Sequence, residues 1–394
     1  MLTAALWFVF GAGSCLLLPS GVFAFECAAA TFARESSIGG VGRRPRLCIM
    51  VPAHDEAQGI VATLRGLKAQ LSEGDRLLVI ADNCSDNTAE LARSAGATVI
   101  ERADAQRRGK GYAISYGLEH LAVDPPEVVI LVDADCEISA GAIDTLARVA
   151  LNRQRPVQAE YLLEMPRTAT PLLSISSLAF LVRNRVRPLG LKMAGFPCHL
   201  TGTGMAFPFD QLREAPALGD HLVEDLVMGL EMALSGHAPL FCAEAKVRSI
   251  LPERTEAARA QRTRWEHGQL STLLSHGPRL LAESIRQRRP ELAVLALDLA
   301  VPPLALLTSG LATSLIASGV VGALARKPML AMMPSMLGLV LIGAGTLAAW
   351  FRHGRDRVSL SALALAPLYV AWKIPLYVSL AVRGRQKAWV RTER

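Results

Sequence analysis

The chain has 394 residues, 51% hydrophobic and 20% charged, a length that allows one large domain or two ordinary ones. Positive mean hydropathy together with that much charge indicates a soluble domain joined to membrane spans. Lys and Arg outnumber Asp and Glu by seven. The excess sits beside apolar runs, in clusters such as Arg43-Arg44-Arg46, Arg286-Arg288-Arg289, Arg352-Arg355-Arg357 and Arg383 to Arg394. This pattern marks the cytoplasmic membrane surface, and no helix-turn-helix, RNA-binding or zinc signature argues for nucleic acid as a partner.

Residues 1–33 read as an N-terminal transmembrane helix, apolar from Leu2 to Phe32 with Glu26 as its only charge. The run is too long for a secretory signal and is followed by Arg34 and Arg43-Arg44, which places the N-terminus outside and the basic end in the cytoplasm. Gly39 to Pro45 serves as a linker. The seven Cys, odd in number and without C-x-x-C spacing, read as free thiols in a reducing compartment.

From Leu47 strands and helices alternate. Strands are expected at Leu47 to Val51, Leu77 to Ile80, Ala97 to Ile100 and Val128 to Val132, with helices over Gly59 to Leu71, Thr88 to Ala95 and Lys110 to Leu121. This is the pattern of a doubly wound, mostly parallel sheet. Polar groups gather at the strand ends, where ligands bind in such folds: Pro52, His54 and Glu56 after the first strand, Asp82 and Asn83 after the second. They can hold a base and ribose, or simply cap helices and turns. Arg107-Arg108-Gly109-Lys110-Gly111 offers cations at a helix start, suited to phosphates or to a solvated turn.

Asp133 and Asp135 end the apolar strand Val128 to Val132. Carboxylates this close repel unless a cation lies between them, and hard ions such as Mg²⁺ or Mn²⁺ prefer oxygen ligands. The competing reading is a cap on the helix Ala140 to Leu151. Between Thr170 and Lys192 an apolar helix carrying Arg183, Arg185 and Arg187 is too short and charged to span and reads as interfacial. Thr201-Gly202-Thr203-Gly204-Met205-Ala206 is a small-residue loop that lets backbone approach a ligand. Glu224 and Asp225 head a helix, where acids are favoured in any case. Gln261-Arg262-Thr263-Arg264-Trp265 is helix-like. Its Trp beside Arg fits either a platform for a sugar or diphosphate, or an anchor at headgroups. Three further spans are expected near 300–324, 328–351 and 358–382. With the first, they make four and put the basic tail outside, against the positive-inside rule, unless a Pro-broken segment is re-entrant.

In order, Asp82, Asp133-x-Asp135, Glu224-Asp225 and Gln261-x-x-Arg264-Trp265 resemble the motif series of the membrane-bound family 2 glycosyltransferases, relatives of cellulose, chitin and hyaluronan synthases. The resemblance runs from Leu47 to Gly268. It implies an α/β nucleotide-diphosphosugar transferase domain (GT-A, Rossmann-like) with interfacial helices and α-helical transmembrane spans. The implied parts are an N-terminal helix at 1–33, a cytoplasmic catalytic domain at 46–255, interfacial helices at 256–290, three transmembrane or re-entrant segments at 291–383 and a basic tail at 384–394. By the same resemblance the donor is a nucleotide-diphosphate sugar, a UDP-sugar in the first instance, bound by Pro52, His54, Glu56, Asp82, Asn83, Lys110, Asp133, Gln261 and Arg264. Asp133 and Asp135 would hold Mg²⁺ or Mn²⁺, Gly202, Thr203 and Trp265 would meet the acceptor, and Asp225 would be the base of an inverting displacement. The chain is short for a processive synthase, which favours transfer to a membrane acceptor such as a polyprenyl-linked saccharide over polymer synthesis with translocation. A catalytically inactive membrane subunit and a sugar-phosphate nucleotidyltransferase are the other readings. The first fits poorly with intact acids, and the second needs neither Q-x-x-R-W nor spans.

Overall fold

A computed structural model describes residues 2–33, 42–165, 170–216, 223–250 and 255–383, with backbone alone for 250, 255–263 and 378–383. The basic tail, residues 39–41 of the expected linker and the Gln261 side chain therefore lie outside the described residues. The chain divides into two units. One holds 42–165 and 196–268. The other holds 2–33, 170–195 and 269–383.

The first unit is built on an eight-stranded sheet. In chain order the strands are β1 (Leu47–Ala53), β2 (Arg76–Asp82), β3 (Thr98–Arg102), β4 (Val128–Leu131), β5 (Cys136–Ile138), β6 (Val157–Glu164), β7 (Met205–Pro208) and β8 (Leu240–Ile250). They lie in the order β3-β2-β1-β4-β7-β6-β8-β5. The first four pair in parallel, as the alternation of strand and helix predicts. Their residues from Leu47 to Val51 and Val128 to Val132 are buried on both faces, which is why these stretches lack any polar alternation.

Beyond β4 the expected parallel order gives way to a mixed one. β7 runs antiparallel to both β4 and β6, β6 pairs in parallel with β8, and β5 is antiparallel to β8. The chain enters β7 through Gly202 and Gly204, at φ +94° and +65°. Gly204 also lies where any Cβ would strike Val247 and Ala159, so only glycine admits the turn there. Of the small-residue loop expected at 201–206, the first four residues are thus loop, and Met205 and Ala206 begin β7.

One core cluster explains how the ends of two helices reach the same region. Ala113, Ile114 and Leu121 of the helix Lys110–Leu121 pack with Met50, Ile80, Leu131 and Phe207 of the sheet, and so do Met228 and Met232 of the helix Glu224–Leu234. Each buried side chain of this size contributes about 1.5–3 kcal/mol.

The second unit is helical. Helix Leu2–Thr31 lays Leu6 and Val9 on Ala331 of the helix Pro328–Ala349, and Ser335 of that helix donates to Ser314 at 3.0 Å on the helix Leu304–Leu324. Among the described residues three helices are long and apolar enough to cross a membrane: Leu2–Thr31, Leu304–Leu324 and Pro328–Gly354. The span expected at 358–382 is broken instead. A short helix, Leu360–Leu363, stops before an 18-residue helix, Ala366–Arg383, that carries Pro375 and a buried Lys373.

The segment expected to be interfacial is a nearly continuous helix from Pro171 to Met193 with a π-turn over Val182–Val186. Its Arg187 does not reach for solvent. The guanidinium is buried, with Nε donating to Glu26 Oε2 at 2.6 Å and Nη2 donating to the Asp298 carbonyl at 2.8 Å and to the Asp298 carboxylate. One cation thus ties the first helix to the helix Pro290–Leu299. Arg187→Met takes the shared cation from two buried acids and is expected to cost about 3–5 kcal/mol. Thermal unfolding of the detergent-solubilised protein measures it. An unchanged midpoint would mean the triad carries no net stability.

Candidate active site

The polar groups expected at the strand ends do meet there, and most are held by one another. His54 Nδ1 lies 2.7 Å from the Asp82 carbonyl, and the Glu56 N–H donates to Thr88 Oγ1 at 2.8 Å. Asp82 is buried at the end of β2. Its Oδ1 accepts from Asn83 Nδ2 at 2.9 Å and from Arg102 Nη1 at 2.6 Å. Asn83, at φ +52°, turns its Oδ1 to the Asp104 N–H at 2.8 Å. Pro52 sits within β1, in register with Ile80 of β2. Arg102 is the residue sequence reading missed, because the expected strand stopped at Ile100. It fixes the Asp82 carboxylate and lies over the Tyr112 ring at 5.5 Å.

Asp133 and Asp135 follow β4, as their place after the apolar run predicts. The Asp133 N–H donates to Thr203 Oγ1 at 3.0 Å, and its Oδ1 takes a hydrogen bond from Lys110 Nζ. Asp135 Oδ2 accepts from Ser249 Oγ at 2.9 Å, because the β5–β8 register sets Ser249 opposite Cys136. Ligand atoms of Asp133, Asp135 and Cys136 all lie within 4.8 Å of one another. Burial pushes the Cys136 thiol well above its usual range, and the two carboxylates are the oxygen donors of the group. A pair of oxygen donors suits a hard divalent ion better than a soft one.

The loop between Leu200 and Met205 joins this pair to the next acids. Lys110 Nζ donates to the Gly202 carbonyl at 2.5 Å, so one ammonium bridges Asp133 and the loop. Asp225 stands against the same glycine: a Cβ at Gly202 would lie 3.2 Å from its Oδ2. Gln158, fully buried on β6, clamps the loop at both ends. Its Oε1 accepts the Thr201 N–H at 2.8 Å and its Nε2 donates to the Thr203 carbonyl at 2.9 Å. Thr203, expected at the acceptor, is 0% exposed. Its hydroxyl is spent on Asp133 and on the Cys136 thiol, so it shapes the acid pair from beneath instead.

Electrostatics join these groups into one cluster. Burial alone would lower the Lys110 pKa, but Asp133, Glu224 and Asp225 outweigh it and hold the ammonium charged. Burial raises the Asp133 carboxyl against the pull of Lys110, with Asp135 adding to the rise. Burial and Asp225 raise Glu224, while Lys110 and Arg264 oppose them. Arg264 is half-buried and its Nε has no hydrogen-bond partner, and Trp265 beside it is also half-buried. Both sit on the helix Thr255–Arg286.

The family described as "Glycosyltransferase like family 2" matches residues 45–268, more than half of the chain. The chain belongs to that family. The low-salt glycan biosynthesis hexosyltransferase Agl6 of Haloferax volcanii is 34% identical over 96 residues, covering 23% of this chain and 21% of that protein. The match therefore spans about a fifth of that relative's length. The mannosyltransferase PcManGT from Pyrobaculum calidifontis, solved in complex with GDP-Man and Mn²⁺, is similar in fold with a TM-score of 0.53 at 18% identity. That likeness covers 90% of this chain and 100% of that one. The sheet is the GT-A sheet of nucleotide-sugar transferases, and the same family 2 chain also contains the unit of long apolar helices.

The raised Glu224 carboxyl gives this glycosyltransferase a pH signature. The native protein holds that proton more tightly than the unfolded chain, so stability falls as pH rises above 4.5 towards the raised native value. Glu224→Gln removes the penalty. With a chelator present, it is expected to melt higher than the parent at pH 7, and the gap should close as pH falls to about 4.5. Equal midpoints across that range would show that Glu224 carries no such penalty.

Proposed function

We propose that this protein transfers a sugar, with inversion, from a nucleotide-diphosphate sugar to a membrane-associated acceptor at the cytoplasmic face, and that the transfer depends on Mg²⁺ or Mn²⁺. The observation that carries the reading is the meeting of Asp133, Asp135, Lys110 and Asp225 in a family 2 domain. Pro52, His54, Glu56, Asp82 and Asn83 take the nucleoside end of the donor. Lys110 and Arg264, with Gln261, hold the diphosphate. Asp133 and Asp135 hold the cation, which when bound neutralises charge on the leaving diphosphate. Gly202 and Trp265 face the acceptor. The acceptor hydroxyl oxygen attacks the anomeric carbon as its proton passes to Asp225. The bond from that carbon to the phosphate oxygen breaks, and the nucleoside diphosphate leaves on Lys110 and Arg264. A single displacement from the far side inverts the anomeric centre.

A UDP-sugar is the donor to test first, with GDP-mannose beside it because the similar mannosyltransferase was solved with that donor. The acceptor class, a polyprenyl-linked saccharide or a growing polysaccharide, rests on the apolar helices of the same chain and on the glycan-biosynthesis name of the Haloferax volcanii relative. Among the described residues three helices are long and apolar enough to cross, and three crossings support a simple multi-pass inner-membrane topology. With the N-terminus outside, catalytic region 46–255 and the tail after Arg383 both fall in the cytoplasm, and the positive-inside rule is met. Reporters fused within 140–216 and after Arg383 should both read cytoplasmic, and a periplasmic signal from the first would remove the donor and the reading with it.

Membranes containing the protein, given labelled nucleotide sugars and then extracted into lipid and polymer fractions, should place label in one fraction for one donor and lose it with EDTA. Full transfer with EDTA present would overturn the metal assignment. Asp225→Asn keeps the shape but cannot accept the proton, so turnover should fall by about 10²-fold or more while donor affinity changes little. If affinity falls in proportion to rate, or neither falls, Asp225 is not the base and Glu224 is the next candidate.

A further inference from the structure

Within the proposed reading, Lys110 stands between two partners that do not belong to the same step. Its ammonium is on Asp133, a proposed ligand of the cation, and at the same time on the Gly202 carbonyl, in the loop against Asp225. It is also a cation at the first position of a helix, where the aligned backbone dipoles disfavour positive charge. Asp133, Glu224 and Asp225 overcome that, so the acids of the site keep the ammonium in place.

The position has a consequence for the divalent ion. Ligand atoms of Asp133 and Asp135 lie within 4.8 Å of each other, so an ion held by both shares Asp133 with the Lys110 ammonium. Two cations on one carboxylate repel, and the ammonium already neutralises much of the charge that would attract the ion. A diphosphate removes the conflict, because it brings enough anionic oxygens for both cations at once.

We propose that Lys110 makes binding of the divalent cation conditional on the donor diphosphate, by competing for Asp133 until phosphate oxygens take up its charge. Metal and nucleotide then bind with positive coupling. By linkage, the nucleotide tightens the metal by the same factor as the metal tightens the nucleotide. Because the same ammonium holds Gly202, its transfer to phosphate also releases the loop beside Asp225 once the donor is in place. This rests on the metal and donor assignments above and adds to them a coupling residue.

The test is binding of Mn²⁺ to the full chain in detergent, read from the electron paramagnetic resonance of the free ion, with and without UDP and then GDP. The parent should gain about tenfold or more in Mn²⁺ affinity when the matching nucleotide is present. Lys110→Met should bind Mn²⁺ alone about tenfold more tightly than the parent and should lose most of the gain from nucleotide. Lys110→Arg keeps the charge and should behave as the parent does. If Lys110→Met does not fold, judged by circular dichroism, Lys110→Gln, which retains a donor for Gly202, takes its place. Unchanged or weaker Mn²⁺ binding by the neutral variant without nucleotide would overturn the proposal. Asp135→Asn separates the two levels: if it abolishes Mn²⁺ binding while neutral Lys110 variants leave the coupling intact, only the role of Lys110 falls. Should Asp135→Asn bind Mn²⁺ as the parent does, the metal site and this coupling fall together.

Discussion

Negative charge gathered at the carboxyl end of one sheet is the constraint on which the first unit depends. β4 delivers Asp133 and Asp135, and a helix packed on the same core delivers Glu224 and Asp225. Lys110 and Arg264 are cations that act on them electrostatically. Half-buried acids in such numbers cost stability, as the upward shifts of Asp133 and Glu224 record. The apolar packing of Met50, Ile80, Leu131 and Phe207 beneath them offsets that cost, and it fixes the helix ends so the acids cannot relax apart.

Most of the parallel half of the sheet was legible because β1, β2 and β4 are largely buried and read as unbroken apolar runs, while the edge strand β3 is not. The other half carried a different signal. β8 alternates, with Glu244, Lys246 and Arg248 interleaved by the buried Ala245 and Val247, and β6 hides Gln158 and Glu160 in a run that looks amphipathic. A period of two was available there to a closer reading. Positions of Asp133, Asp135 and Lys110 followed from strand and helix ends. What could not be read was pairing at long range: Arg102 on Asp82, Gln158 on the 201–203 loop, Ser249 on Asp135. Thr203 shows the limit most sharply. A small hydroxyl residue between glycines looks like a contact for a ligand, and only the β4–β7 pairing reveals that the hydroxyl points under Asp133.

The helical unit follows the same rule in a less polar setting. Glu26 stands out in its apolar run, but nothing in that run says what answers it. The partner is Arg187, 161 residues away, and Asp298 shares it. A charge in such a helix is tolerated when a partner is fixed by packing, and the π-turn at Val182–Val186 shifts the helix face just ahead of Arg187. The arginine that looked interfacial is therefore a tie between helices.

Glu224 and Asp225 are neighbours on one helix, so their side chains leave it about 100° apart and cannot do the same work. Their surroundings differ accordingly. Burial raises the Glu224 carboxyl, and Lys110 and Arg264 oppose the rise, while Lys110 also acts on Asp225. Asp225 lies against Gly202, in the loop whose carbonyl Lys110 holds. In the proposed reaction this divides the labour. Glu224 balances the two cations that receive the leaving diphosphate, and its charge keeps them oriented. Asp225 is next to open backbone, where the absence of a side chain at Gly202 leaves room for a hydroxyl to approach. A larger residue at 202 would crowd the Asp225 carboxylate itself, so in the proposed reaction the glycine would serve Asp225 as much as the turn. In the proposed reaction, proton acceptance and charge balance fall to consecutive residues, because Asp225 lies against the Gly202 loop and Glu224 is the acid whose carboxyl Arg264 pulls down.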